Sequence, residues 1–119
     1  MNTFFFDTYA LIEMLKGNPN YDAYTSAILI TGRLNLMELY YYFLRERNEP
    51  RGRKAFLDLR AFCVAFSDDE LMEACHLRRT IKKASYVDAL GYVLAKRCRA
   101  RFLTGDPAFK GVEDVEFVV

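Results

Sequence analysis

The sequence has few of the residues that build thiol or histidine sites. Its 119 residues include no tryptophan, one histidine (His76) and three cysteines, Cys63, Cys75 and Cys98. The cysteines are odd in number and form no CxxC pair, which argues against a disulfide framework and a zinc site and suggests a reducing, cytoplasmic location. There is no signal peptide and no apolar run of about 18 residues, so we expect no membrane span.

The charge balance does not identify a partner either, because 17 basic residues stand against 16 acidic ones. The distribution is more informative, since basic residues concentrate at 45–54 and 78–101. Hydrophobic residues make up 52% of the chain, which argues against disorder. The length predicts one compact domain over residues 1–119.

Short apolar runs alternate with helical patterns along the chain. Strands are predicted at 3–6, 26–31, 63–66, 101–104 and 115–119, and helices at 9–16, 36–48, 51–62, 69–83 and 86–99. This alternation is typical of parallel strands joined by helical crossovers. The predicted fold class is α/β, with a small open, mostly parallel sheet of about four to five strands and helices on both faces.

Four acidic residues fall at the ends of predicted elements. Asp7 ends the first strand, and Asp106 follows the strand at 101–104 by two residues. Glu38 and Asp88 lie near the starts of two predicted helices. Open α/β sheets bind ligands at the carboxyl ends of their strands, where helix N-termini also point. We therefore expect the four carboxylates to lie on one rim of the sheet.

Each acid also has a purely structural interpretation. Glu38 with Asn35, and Asp88 with Ser85, fit a capping box, in which the acid bonds back to the first residue of the helix. The other two acids could cap a helix or stabilise a turn. Taken singly, Glu38 and Asp88 are better explained by capping, and only the joint placement of all four indicates a site.

A cluster of carboxylates needs either protons or a cation. Two carboxylates about 5 Å apart repel by roughly 3 kcal/mol at an effective dielectric constant near 20. Oxygen-only ligands suit Mg²⁺ or Mn²⁺, which also bind substrate phosphate. A metal ion held in this way can activate water for phosphodiester hydrolysis.

Four segments resemble the acidic motifs of PIN-domain ribonucleases, and in particular the VapC-type toxins of prokaryotic toxin–antitoxin pairs. The segments are FFDTYALIEMLKG, NLMELYY, SYVDALGYVLAKR and FLTGDPAFKGVEDVEFV. The resemblance implies a metal-dependent endoribonuclease with Mg²⁺ or Mn²⁺ as cofactor, an RNA substrate, a cognate antitoxin protein and a homodimer. It assigns catalysis and metal binding to Asp7, Glu38, Asp88 and Asp106, with Asp106 the most variable position in the family. Thr8 and Thr104 match small polar positions that support the acids.

Other functions remain open at this stage. The chain could be a housekeeping RNA-processing nuclease, or a non-catalytic PIN-fold module that binds RNA or protein. A phosphatase with an aspartate nucleophile is disfavoured, because Tyr9 occupies the position where such enzymes usually carry a second aspartate. A receiver domain is disfavoured because the residues after 63–66 match a phosphoacceptor site poorly.

Three further features have an RNA-binding and a structural interpretation. The basic residues Arg78, Arg79, Lys82 and Lys83 lie next to the Asp88 helix and are candidates for phosphate contacts. The aromatic run at 39–43 could stack on bases, although packing is the more common role of tyrosines at helical spacing. Gly91 could leave room for substrate or for a closely packed neighbour.

Overall fold

The computed structural model describes residues 2–119. The strands are β1 (Thr3–Phe6), β2 (Ile28–Ile30), β3 (Arg101–Thr104) and β4 (Val115–Phe117). The helices are α1 (Thr8–Leu15), α2 (Arg33–Arg45), α3 (Glu49–Leu59), α4 (Asp68–Thr80) and α5 (Tyr86–Arg97). Three short 3-10 helices lie at Pro19–Tyr24, Arg60–Phe62 and Pro107–Phe109.

The four strands form one sheet in the order β2-β1-β3-β4, and every neighbouring pair is parallel. The predicted α/β class with a parallel sheet is therefore confirmed. None of the helices in residues 2–119 combines the length and the hydropathy that a membrane span requires.

The strand predicted at 63–66 is wrong. Cys63 makes only an isolated bridge to Thr31, through hydrogen bonds from Thr31 N to Phe62 O (3.0 Å) and from Val64 N to Thr31 O (2.9 Å). β2 ends at Ile30, so the chain beyond Val64 has no strand to pair with and continues as an exposed segment to α4. Short apolar runs of this kind cannot be assigned to a strand from the local sequence pattern alone.

The phenylalanine run of β1 is buried on both faces of the sheet. Phe5 belongs to a core formed with α4 and α5, where its ring stacks on Phe102 with centroids 5.9 Å apart. Phe4 and Phe6 point the other way, into a core formed with α1, α2 and α3. A central parallel strand covered by helices on both sides has this continuous apolar pattern instead of alternation.

Helix α2 begins three residues earlier than the pattern predicted. Gly32 is its N-cap, so Asn35 lies inside the first turn and is buried. The capping box predicted for Asn35 and Glu38 is therefore wrong. The break predicted between the last two helices is confirmed, because α4 ends at Thr80 and Ser85 caps α5.

Gly91 is required by close packing of α5 on the sheet. A Cβ atom at this position would lie 2.8 Å from Cε1 of Phe5 and 3.0 Å from Cε1 of Phe102. Both rings are fully buried, so neither can move aside without disturbing the core. The structural interpretation of this glycine accounts for its position.

Substituting Gly91→Ala should therefore lower the free energy of unfolding. Overpacking of a core costs about 1–3 kcal/mol, and the better helix propensity of alanine offsets up to about 1 kcal/mol of it. We expect a net loss of roughly 1 kcal/mol, measured by urea denaturation. Met72→Ala, on an exposed position of α4, serves as the control. A Gly91→Ala protein as stable as the wild type would contradict the packing argument.

Candidate active site

The strand order creates a crevice between β1 and β3. The connection that leaves β1 leads to β2 on one side, whereas β3 pairs with β1 on the other side. Ligands of open α/β sheets bind at the carboxyl ends of strands where the order reverses in this way. Asp7 directly follows β1, and its backbone N–H donates to the carbonyl of Leu103 in β3 (3.2 Å). Asp106 follows β3 at the same end of the sheet.

Asp7 is almost completely buried, with 1% of its surface exposed. It is the N-cap of α1, and its Oδ1 accepts a hydrogen bond from the backbone N–H of Ala10 at 2.8 Å. The nearby hydroxyl of Thr104 acts in the opposite direction to burial and lowers the pKa of the Asp7 carboxyl. Capping explains how the side chain is oriented, but a cap does not require a carboxylate at a fully buried position.

Asp106 is held by a second cap beside the first. Its Oδ1 accepts from the backbone N–H of Ala108 (3.0 Å) at the start of the 3-10 helix Pro107–Phe109. Its own backbone N–H donates to the hydroxyl of Thr104 (3.0 Å). Thr104 therefore helps to fix the loop after β3 at Asp106.

Asp88 enters from α5, on the opposite face of the sheet from α1. The capping box predicted for it is present: Asp88 N donates to Ser85 Oγ (3.0 Å), and Ser85 N donates to Asp88 Oδ2 (3.3 Å). The carboxylate is half-buried. The cap and the site are not alternatives here, because each capping bond occupies only one carboxylate oxygen.

Glu38 enters from the second turn of α2. The hydroxyl of Thr8 donates to Glu38 Oε1 (2.5 Å), and the side-chain amide of Asn35 donates to Thr8 Oγ1 (3.2 Å). Thr8 is the first residue of α1, directly after Asp7. This chain of bonds ties Glu38 to the same strand end that carries Asp7.

Two of the carboxyls have raised pKa values. Burial, with a smaller effect from the negative charges of Asp88 and Asp106, raises the pKa of Asp7 to about 8. Burial also raises the pKa of Asp88 to about 6, with added repulsion from Asp106 and Glu38. The crevice is therefore short of positive charge.

The donor chemistry fits a hard divalent cation. All four side chains offer oxygen atoms, and a cation would relieve the repulsion that raises the two pKa values. Within residues 2–119, no three acidic, histidine or cysteine side chains are grouped closely enough to hold an ion by themselves. Mg²⁺ is usually held by one or two carboxylates together with water and substrate phosphate, so it does not need such a cage.

Two residues next to the acids were missed by sequence reasoning. Asn35 orients Thr8 from inside α2, and only the three-dimensional contact reveals this role. Gly105, between Thr104 and Asp106, leaves no room for a side chain, because a Cβ atom would collide with the Tyr9 ring and the carbonyl of Val118. The position of this glycine between two polar site residues was the feature of the sequence that indicated its role.

The predicted basic residues differ in their surroundings. Arg78 turns inward: its Nε donates to the carbonyl of Ala84 (2.8 Å), and its guanidinium lies 4.3 Å from the Tyr86 ring centroid. Arg79, Lys82 and Lys83 are exposed. Lys82 and Lys83 line a cavity of about 610 Å³ that is also lined by Pro107 and Ala108, directly after Asp106.

The basic residues farther along the chain are engaged in ion pairs. Arg97 contacts Glu70 at 2.7 Å, Lys96 contacts Asp114 at 3.9 Å, and Arg101 contacts Glu116 at 3.2 Å. These ion pairs partly neutralise the charges of Lys96, Arg97 and Arg101. In contrast, Lys82 and Lys83 form no ion pair within residues 2–119.

Comparisons with known proteins identify a family. The PIN domain family matches residues 4–115. A search of the curated proteins found no significant match. Several solved structures are similar in fold. A chain of a toxin–antitoxin complex from Klebsiella pneumoniae matches with a TM-score of 0.75 and 22% identity, covering 94% of both chains.

Two other solved structures share the fold at lower identity. The protein PAE2754 from Pyrobaculum aerophilum has a TM-score of 0.72 and 12% identity, covering 98% of this chain and 90% of that one. VapBC2 from Rickettsia felis, bound to a DNA fragment from its promoter, has a TM-score of 0.73 and 14% identity, covering 98% and 99%. At these identities the structural likeness establishes the fold.

The raised pKa of Asp7 predicts how metal-free protein responds to pH. The carboxyl ionises near its ordinary value of 3.8 when unfolded and near 8 when folded, so the folded state holds an extra proton in between. The free energy of unfolding should therefore fall as pH rises from about 4 to about 8. Urea denaturation in the presence of chelator, at pH values across this window, measures the slope.

Asp7→Asn should flatten this dependence and stabilise the protein above neutral pH. The amide oxygen can still accept the capping bond from Ala10, while the buried charge is removed. Asp58→Asn is the matched control, because Asp58 is exposed and pairs only with Lys54 at the surface. An unchanged slope in Asp7→Asn would show that another group causes the pH dependence.

Proposed function

The chain belongs to the PIN domain family, and on that premise we propose that residues 1–119 form a single nuclease domain that cleaves RNA internally with a divalent metal ion. We further propose that it is the toxin of a toxin–antitoxin pair. The observation that supports the proposal is the burial of the Asp7 and Asp88 carboxyls near Asp106 and Glu38, which raises the pKa of both, with the negative charges of the neighbouring acids adding to the effect of burial.

The protein's own contribution to catalysis is to hold these carboxylates in place before substrate arrives. Each aspartate is fixed through one oxygen by a backbone N–H, and Glu38 is fixed by Thr8. Their other oxygens are left to bind the cofactor, for which we propose Mg²⁺ or Mn²⁺. When bound, such an ion supplies an activated water and stabilises negative charge on the phosphate. Preorganised ligands avoid the cost of rearrangement during the reaction.

We propose that the exposed basic residues Arg79, Lys82 and Lys83 hold the RNA backbone, with Arg78 supporting the loop between them and Asp88. This proposal is supported by the cavity that Lys82 and Lys83 share with the residues after Asp106. A strand of RNA lying there would reach the acids without crossing the body of the protein. Phosphate contacts of this kind give affinity that depends on salt and not on sequence.

An antitoxin protein is the partner that we propose. Two of the structurally similar proteins come from toxin–antitoxin pairs. A cluster of carboxylates that lacks positive charge offers a partner a simple means of inhibition, because an arginine side chain can pair with two carboxylate oxygens. We also propose a homodimer and a cytoplasmic location, the latter supported by three free thiols among the described residues.

A housekeeping RNA-processing nuclease is the second candidate, since the same site would serve it. A small open reading frame next to the gene, encoding a protein that binds and inhibits this chain, favours the toxin. A non-catalytic module is disfavoured because all four acids are present and positioned by specific hydrogen bonds.

Cleavage of a mixed RNA substrate should require Mg²⁺ or Mn²⁺ and should stop in excess chelator. Asp7→Asn and Asp88→Asn should each abolish cleavage, because an amide keeps the size of the side chain but removes a charged metal ligand. Thermal melting should show both variants folded, and addition of Mg²⁺ should raise the melting temperature of the wild type more than theirs. Full activity in chelator would refute the metal mechanism.

Removing charge at Lys82 and Lys83 should weaken RNA binding more than removing it at Arg97 and Arg99. Each lost phosphate contact should reduce the log–log salt slope by about 0.7 for single-stranded RNA. The experiment compares Lys82→Gln/Lys83→Gln with Arg97→Gln/Arg99→Gln across a salt series, both in the Asp88→Asn background. A larger loss of affinity and slope in the second pair would place the RNA path along the far end of α5.

A further inference from the structure

A groove of about 610 Å³ runs along α2 beside the acidic site. One end is formed by Thr8 and Glu38, which hydrogen bond to each other within the acid cluster. The rest is lined by Ile12, Met37, Tyr41, Tyr42 and Arg45. The groove therefore reaches Glu38, and a molecule bound at this carboxylate can extend into it.

Tyr41 is the unusual member of the groove. Its neighbours Leu39 and Phe43 are buried in the core, as expected for an aromatic run at helical spacing, but Tyr41 is 60% exposed. Met37, one turn earlier, is 57% exposed. Packing therefore explains Leu39 and Phe43 but not Tyr41, whose ring is exposed to solvent directly beside a candidate active site.

Arg45 adds positive charge at the far end of the groove. Its guanidinium carbon lies 5.4 Å from the centroid of the Tyr41 ring. Within residues 2–119, no carboxylate lies within ion-pair distance of Arg45. An arginine over an aromatic face, without an acidic partner, can stack and bind an anion at the same time.

The order of these side chains along the helix matches the chemistry of a nucleotide. Glu38, Tyr41 and Arg45 share one side of α2, and the helical rise places them about 4.5 Å and 10.5 Å apart along the axis, measured from Glu38. Along the helix axis, the acidic site for the reacting phosphate comes first, the aromatic ring second and the cation third.

We propose that this groove binds one unpaired base of the RNA, adjacent to the cleaved phosphodiester bond. Tyr41 stacks on the base, and Arg45 contacts a neighbouring phosphate. The proposal rests on the proposed RNA cleavage and adds a position at which an unpaired base is bound. Tyr41 acts here as a substrate-binding residue, while the chemistry stays with the four acids.

A double-mutant cycle between protein and RNA tests the contact. The probes are a short single-stranded RNA of mixed sequence that the wild type cleaves at one bond, and copies with an abasic nucleotide at each position flanking that bond. Affinity is measured in the Asp88→Asn background, with and without Tyr41→Ala. Stacking predicts that Tyr41→Ala weakens binding of the intact RNA by about five- to a hundred-fold.

The decisive result is the position at which this loss disappears. For one of the abasic RNAs, the Tyr41→Ala variant and the protein that keeps Tyr41 should bind with equal affinity. The Tyr41→Phe variant should bind every RNA with the affinity of the wild type. Tyr40→Ala is the control, because Tyr40 lies on the same helix but lines a separate cavity with Arg53, Phe56 and Leu57. In the active protein, Tyr41→Ala should change the preferred cleavage position or raise KM more than it lowers kcat.

Two outcomes would overturn the inference, and they are distinguishable from failure of the proposed function. If the wild type cleaves RNA but no abasic position removes the effect of Tyr41→Ala, the base contact is absent. If Tyr41→Ala leaves RNA binding unchanged but alters the mass of the protein in sedimentation, the groove is a contact between copies of the chain. If the wild type neither binds nor cleaves RNA, the proposed function itself fails.

Discussion

Burial of the Asp7 carboxyl is the constraint on which the site depends. The side chain lies at the end of the central strand, 1% exposed, in a crevice formed because the sheet order reverses between β1 and β3. Desolvation disfavours its charge, and the nearby acids add repulsion, so its pKa rises to about 8. A cap alone does not justify this cost, since asparagine or serine would accept the same bond. The proposed metal ion would remove it.

The other three acids are held by bonds that belong to the scaffold. Asp88 and Asp106 each cap the start of a helical segment, and Glu38 is tied to Thr8 at the start of α1. Capping and ligand binding are therefore compatible functions of one side chain. The bond fixes one oxygen of the carboxylate and leaves the other oxygen without a hydrogen-bond partner from the cap.

Surfaces of different character lie beside these acids. On one, the residues after Asp106 meet the exposed Lys82 and Lys83, whose charge suits a phosphate backbone. On another, Glu38 and Thr8 open into the groove of Tyr41, Met37 and Arg45, whose aromatic ring suits a base. The two cavities are contributed by different elements, so the contacts that we propose for the RNA backbone and for an unpaired base are made by separate parts of the fold.

The alternation of strand and helix patterns in the sequence was enough to predict the α/β class and the parallel sheet, and the resemblance of four acidic segments was enough to predict the PIN domain family. Strand and helix patterns repeat over a few positions, so the sequence by itself predicts them. It could not separate a short buried strand from a single bridge at Cys63, since that depends on where β2 ends.

Only the tertiary structure decided which polar residues meet. Asn35 was expected to cap a helix and instead reaches Thr8 from the first turn of α2. Arg78 was predicted to contact RNA, and the structure adds a hydrogen bond from its Nε to the carbonyl of Ala84. Tyr41 was grouped with packing residues and is exposed next to Glu38. These contacts join residues from different elements, and their formation depends on how helices pack across the sheet, which no local pattern encodes.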